Sequence, residues 1–229
     1  MERLSAKGAG TRIGPADNRL LESKVREHSS RKLTLGFRLL GLLPLLFFLL
    51  HANYYRQVGG MSNMLWMCNI GNLVLAVGLF LASPILIRLA VIWLIPGLPI
   101  WLWFVVRPGG WILTSFFAHA GGLTVGLIAM QKVRASRWMW LQAFVWFLLV
   151  QEICRLFTPV GPNVNAAHLI YGEFEPLFNR YWQFWTVGTL VVAIGLWIMG
   201  FLLLKLFPPH PPEVKAGSTH RRERASAPP

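Results

Sequence analysis

Residues 84–106 read PILIRLAVIWLIPGLPIWLWFVV, and this stretch decides the fold. It carries a single charge, Arg88, and is long enough to cross a hydrocarbon core of about 30 Å. Five more stretches of the same kind surround it, at residues 33–52, 61–81, 111–130, 138–157 and 182–207. Hydrocarbon offers no partner for backbone N–H and C=O groups, so a continuous apolar run must satisfy its own as a helix. The expected fold is therefore all-α, a polytopic membrane protein built as a six-transmembrane-helix bundle. A mean hydropathy of +0.50 and 55% hydrophobic residues agree with it. The domain plan is a basic leader at 1–32, a membrane domain at 33–207 and a Pro-rich basic tail at 208–229, with no room for a soluble domain. Both ends read as disordered. The leader is too long for a cleaved signal peptide and no small-x-small exit follows the first stretch, so that stretch reads as a retained anchor.

The net charge of +13 raises nucleic acid as a partner, but its distribution argues for topology instead. With the amino terminus inside, 17 of the 22 Lys and Arg fall on the inner side. Only Arg56, Arg107, Arg155 and Arg180 fall outside, and Arg38 lies within the first stretch. That bias follows the positive-inside rule, with both termini cytoplasmic in a cell's inner membrane. The partners implied are membrane lipid and other membrane proteins, with no nucleic acid. Two cysteines make no disulfide framework. No close spacing of His, Cys or carboxylates suggests a metal, and no cofactor is expected. Trp101, Trp103, Trp111, Trp182 and Trp185 near the outer face, and Trp138 and Trp140 near the inner one, read as interfacial anchors.

Within this plan one pairing carries chemistry. Cys68 and His119 each come early in the second and fourth stretches, which start on the same side. A rise of about 1.5 Å per residue puts both roughly 10–12 Å below the outer face. A thiol beside an imidazole is a nucleophile–base pair. Cys68, Asn69 and Asn72 fall on one arc of their helix, which lipid would penalise and which therefore faces inward. His119 lies on the face of the small residues Gly122 and Gly126. Asn69 and Asn72 are candidate orienting or oxyanion groups. Glu152, three residues before Arg155, is a candidate to orient the imidazole, or else a plain ion pair. The long loop at 158–181 lies over the same side and offers Asn163 and His168 as gating residues. Pro96, Gly97 and Pro99 predict a break or kink in the third helix. The plainer reading of Cys68 is a small buried hydrophobe, and of the asparagines, glue between helices.

The order Cys68-Asn69-Ile70, Ile92-Trp93 with Gly97, Arg107-Pro108, His119-Ala120-Gly121-Gly122 and Gly161-Pro162-Asn163 spans residues 61–207. In this it resembles the YwaF-like bacterial family of six-span integral membrane proteins and their eukaryotic membrane acyltransferase relatives. Where that family has Gly after its histidine this chain has Ala120, and Val164 stands where it has an aromatic. The resemblance implies a membrane-embedded acyltransferase or hydrolase acting on a lipid ester, with Cys68 carrying the acyl group and His119 as base. The alternative from another class is a non-catalytic membrane subunit that packs against a larger complex or binds lipid or pigment.

Overall fold

The computed structural model describes residues 35–106 and 112–209. The basic leader, the tail from residue 210 onward, Arg107-Pro108 and the expected anchor Trp111 lie outside the described residues. Within them the chain is all-helical, with no strand. Six helices follow in order: α1 (Leu42–Val58), α2 (Met67–Phe80), α3 (Pro84–Val105), α4 (Leu113–Val133), α5 (Met139–Phe157) and α6 (Tyr181–Leu206). Helical residues from Leu35 precede α1 and lengthen it to Leu35–Val58. Five of these are long and apolar enough to cross a membrane, namely the lengthened α1, α3, α4, α5 and α6.

The second stretch departs from expectation. Residues 61–81 are divided between a 3₁₀ turn, Met61–Leu65, and the 14-residue α2. Trp66 separates them with an extended backbone, ψ 137°. At about 1.5 Å per residue α2 is about 21 Å long, short of a full hydrocarbon crossing. The first stretch runs the other way: α1 continues past Ala52 through Asn53, Tyr54, Tyr55 and Arg56. Polarity ends a hydropathy window without ending a helix. What does end α1 is Gly59, whose φ of 77° is left-handed and whose N–H closes onto Tyr55.

Helix α3 is the central post. Half of its apolar window is buried, against 17% for α1 and α6, and it packs on α2, α4, α5 and α6. Pro84 starts it at a position whose N–H needs no acceptor. Pro96 and Pro99 lie within one continuous helix, with no interruption. Close approach is set by small residues: Gly78 of α2 lies against the backbone of Ile87, and Gly126 of α4 against Val91. Arg88 closes the C-terminal end of α4 by donating to the carbonyls of Val133 and Arg134, at 3.0 and 2.7 Å. A cation at a helix C-terminus suits both the orphan carbonyls and the dipole. The outward faces of α1 and α6 are apolar and exposed, aliphatic on α1 and mixed with Trp182, Trp197 and Phe201 on α6, as lipid contact requires.

Trp103, Trp138 and Trp182 are exposed, as interfacial anchors would be. Trp101 and Trp185 are not anchors. Trp101 is buried inside the bundle, and Trp185 donates its indole N–H to Gln151 at 2.9 Å. Spacing alone cannot tell an outward tryptophan from an inward one at the same depth.

Candidate functional site

Cys68 enters in the first turn of α2, just after the break at Trp66. That end is held from far along the chain by Asn165. Its Oδ1 accepts from the Met67 N–H at 3.2 Å, and its Nδ2 donates to the Leu65 carbonyl at 2.8 Å and to Cys154 Sγ at 3.3 Å. Asn69, a candidate orienting group, donates to the Asn63 carbonyl at 2.8 Å and so fastens the 3₁₀ turn to the helix.

Around His119, α4 widens into a π turn, Phe117–Gly121. Such turns release a carbonyl from the regular ladder and occur often at functional positions. Here the Ala118 carbonyl accepts from Asn72 Nδ2 at 2.8 Å, and the same nitrogen donates to the Cys68 carbonyl at 3.2 Å. Asn72 lies so close to Gly122 that a Cβ there would collide with Oδ1. Both amide protons are thus committed, and Asn72 ties α2 to α4 rather than offering a donor to a ligand. The Oδ1 atoms of Asn69 and Asn72 are buried and, among the described residues, have no partner.

His119 Nδ1 lies 2.8 Å from the Ser115 carbonyl and 3.3 Å from Ser115 Oγ. A carbonyl can only accept, so Nδ1 carries the proton and Nε2 is left as an acceptor. The ring stacks on Trp101 at 5.8 Å and 14°. Its Cδ2 edge, which adjoins Nε2, faces Gly97 of α3. A Cβ placed on Gly97 would lie 2.6 Å from Cys68 Cβ and 3.6 Å from His119 Cδ2. The thiol-bearing carbon and the imidazole edge therefore flank one backbone position that has no side chain. Among the described residues no hydrogen bond joins them.

Cys68 also lines a cavity of about 260 Å³ between α3, α5, α6 and the 158–181 loop. Trp93 and Phe147, stacked at 5.6 Å, line it one helical turn before Gly97 and Gln151 in α3 and α5. Asn165, Ala166 and Tyr171 of the loop form its cap. Gln151 joins cap to wall, donating to the Asn165 carbonyl at 3.1 Å while accepting from Trp185. The Tyr171 hydroxyl donates to the Asn163 carbonyl at 3.0 Å and accepts from the Ala166 N–H. Burial pushes its phenol up to about 12, with the nearby Glu173 and Tyr181 adding to the rise and the Ala166 hydrogen bond opposing it.

The remaining candidates lie elsewhere. Glu152 does not touch His119, whose Nδ1 belongs to Ser115. It pairs with Arg155 at 2.6 Å, and Arg155 goes on to the Ala167 carbonyl and the Tyr181 hydroxyl. That pair is partly exposed and fastens the loop to α5, so its own energetic weight is small. Asn163 accepts from the His168 and Leu169 N–H groups, and the His168 ring bonds Thr158 at 3.2 Å. Both knot the loop internally, and the cap over the cavity is made by their neighbours.

Three contributors escaped the sequence reading. His51 is buried in α1, where its Nδ1 lies 3.0 Å from Thr114 Oγ1 and its ring meets the Tyr55 edge at 4.7 Å. The expected stretch 33–52 ends beside His51, whereas α1 runs on to Val58 and carries His51 in its interior. Ser115 sits one turn before His119, a spacing visible in the sequence. Asn165 gave no signal, since its left-handed backbone (φ 53°) and its reach to α2 are tertiary facts. Among the described residues no group of three His, Cys, Asp or Glu is placed to hold a metal. No family model, no curated protein and no solved structure matches this chain.

Proposed function

We propose that this is a multi-pass protein of the cytoplasmic membrane, with six crossings and both termini inside, that transfers or hydrolyses the acyl group of a lipid ester through Cys68 and His119. The observation that carries this reading is the pairing across Gly97, with Cys68 also in the cavity wall. The neutral imidazole takes the thiol proton on Nε2. The sulfur attacks the ester carbonyl, the bond to the leaving alcohol breaks, and the proton passes from Nε2 to that alcohol oxygen. The products are a Cys68 thioester and a free alcohol. An acceptor alcohol or water then attacks the thioester, giving its proton back through His119 to the departing sulfur. With the Asn72 donors committed, the Met67 N–H given to Asn165, and the Asn69 and Ile70 N–H groups given to the Trp66 carbonyl, the oxyanion falls to the Cys68 N–H at the start of α2. The resemblance to the YwaF-like family and its acyltransferase relatives supports the same assignment.

The test is an intact-mass search for a hydroxylamine-labile acyl adduct on protein from native membranes, compared with Cys68→Ala and His119→Ala. An adduct lost in the first variant and diminished in the second is the expected result. A second reading, a non-catalytic membrane subunit, is favoured by the missing Cys68–His119 hydrogen bond and the Trp101 ring over the imidazole. Absence of any adduct, together with partner proteins that co-purify in fixed ratio, would establish it instead.

A further inference from the structure

The capped cavity differs from an ordinary packing defect in its lining. Its wall is mostly aromatic and aliphatic, carries no Asp, Glu, Lys, Arg or His, and among the described residues leaves the Thr189 hydroxyl without a partner. The hydroxyl of Tyr171 is spent on loop backbone, and both ends of the Gln151 amide are engaged. An occupant is therefore uncharged along the part held inside, because an ion there would lose its hydration with no counter-charge. At 260 Å³ the space exceeds the void of about 150 Å³ that takes up one benzene. It is still far too small for a two-tailed lipid.

The lining residues also give the cavity a direction. Cys68 and the loop cap lie toward the outer end, and the Trp93–Phe147 stack lies inward. On α6 the wall runs from Trp185 through Gly188 to Val192, about 10 Å along the axis. Gly188 is the informative position: a Cβ built there meets nothing within 4 Å. Most interior glycines of this bundle are filled by a neighbour, as Gly97, Gly122 and Gly126 are. Gly188 is half-buried, lines the cavity and has open space beside it.

We propose that this cavity measures an acyl chain. It admits one unbranched chain of medium length, roughly ten carbons by comparison with a cavity that holds six. The carbonyl end lies at Cys68 and the methyl end against Trp93 and Phe147, with Gly188 and Val192 setting the limit. The inference deepens the acyl-transfer reading and rests on it for the placement of the carbonyl.

The experiment uses full-length protein in lipid nanodiscs, native mass spectrometry, and a series of fatty-acid methyl esters from about six to about eighteen carbons. The Cys68→Ala variant reads binding without chemistry. Retention in it should peak at medium length. Gly188→Leu should move the peak to shorter chains, lowering retention of the medium ones about tenfold, and Val192→Ala should move it to longer ones. The opposite signs guard against a variant that merely misfolds. A flat length profile, or a peak that neither variant moves, overturns the inference. Length-selective retention without any Cys68 adduct in the wild type would defeat the acyl-transfer reading and leave the cavity assignment standing. An adduct whose chain length is indifferent to both variants would do the reverse.

Discussion

The side-chain amide of Asn72 in α2 donates to the main-chain carbonyl of Ala118 in α4, 2.8 Å away, and so closes the one place where α4 leaves its regular ladder. His119 is the residue next to that carbonyl. The same nitrogen also holds the carbonyl of Cys68. One buried side chain therefore sets the relative position of the two helices that bear the thiol and the imidazole.

Replacing Asn72 by Ala leaves the Ala118 carbonyl buried without a donor. We expect a loss of about 1–2 kcal/mol, smaller than the same deletion in a water-soluble core, because an opened membrane helix finds other partners. Asn72→Asp keeps the shape but removes both donors and should cost at least as much. Denaturation in mixed detergent micelles measures both. Wild-type stability in both variants would show that the π turn does not depend on this bond.

The spacing between Cys68 and His119 is set by a missing side chain. Gly97→Ala places a methyl group 2.6 Å from Cys68 Cβ, so α2 or the π turn must move. Overpacking of this kind costs about 1–3 kcal/mol. The displacement should slow acyl-adduct formation by about a hundredfold, as misplacement of reacting groups by about 1 Å does. Gly71→Ala is the matched control, since its new methyl would meet the Leu94 side chain at 3.4 Å and the Ala90 carbonyl oxygen at 3.8 Å, both ordinary contacts. Equal adduct rates in the two variants would remove the reason for treating the Gly97 gap as part of the site.

Why the fold was legible while the site was only partly so follows from particular residues. Five of the six apolar stretches became long helices, as a backbone in hydrocarbon must, and the sixth was divided at Trp66. The expected limits 84–106, 138–157 and 182–207 fall within a residue or so of α3, α5 and α6. The limits failed where local chemistry overrode hydropathy, at the polar end of α1 and at the Trp66 break. Cys68 and His119 could be paired from depth alone, since depth is a count along the chain. The partners of each polar group could not. Of the two expected roles for Asn72, donor to a ligand and glue between helices, the Ala118 bond fulfils the second, and only the fold reveals which carbonyl the π turn has released. Glu152 lost its expected role to Ser115 because an imidazole one turn away on the same helix satisfies itself first.

The cap over the cavity should respond to alkaline pH through Tyr171. Its phenol is held neutral up to about 12 when folded, against 10 when free. Below pH 10 both states are protonated and the contribution is fully present. Between 10 and about 12 the unfolded loop loses the proton while the folded loop keeps it, so stability falls as pH rises through that window. Tyrosinate absorbance followed alongside the unfolding midpoint checks this. Tyr171→Phe should begin less stable, having lost its bonds to Asn163 and Ala166, and should decline less steeply over the same window. An identical slope in both proteins would place the alkaline sensitivity elsewhere.

The last prediction concerns the shortest helix. On length alone α2 falls short of a crossing, and if it does not cross, the five long helices would leave the termini on opposite sides. Its surroundings argue that it does cross. Asn69, Gly71, Asn72, Leu75, Ala76, Gly78 and Leu79 are buried against α1, α3 and α4, so this helix is screened from lipid over most of its surface. Irregular backbone is tolerated at membrane depth when protein encloses it, which lets the 3₁₀ turn Met61–Leu65 complete the span. On the proposed six crossings both ends lie on one side, and the charge asymmetry predicts that this side is the inside. A green fluorescent protein fused after Pro229 should fluoresce, and an alkaline phosphatase fused there should be inactive. A cysteine introduced at Glu173 in the loop should be labelled by an impermeant maleimide in intact cells. Active phosphatase at the carboxyl end, with the amino end inside, would mean five crossings, and would make α2 a helix that enters the membrane without traversing it.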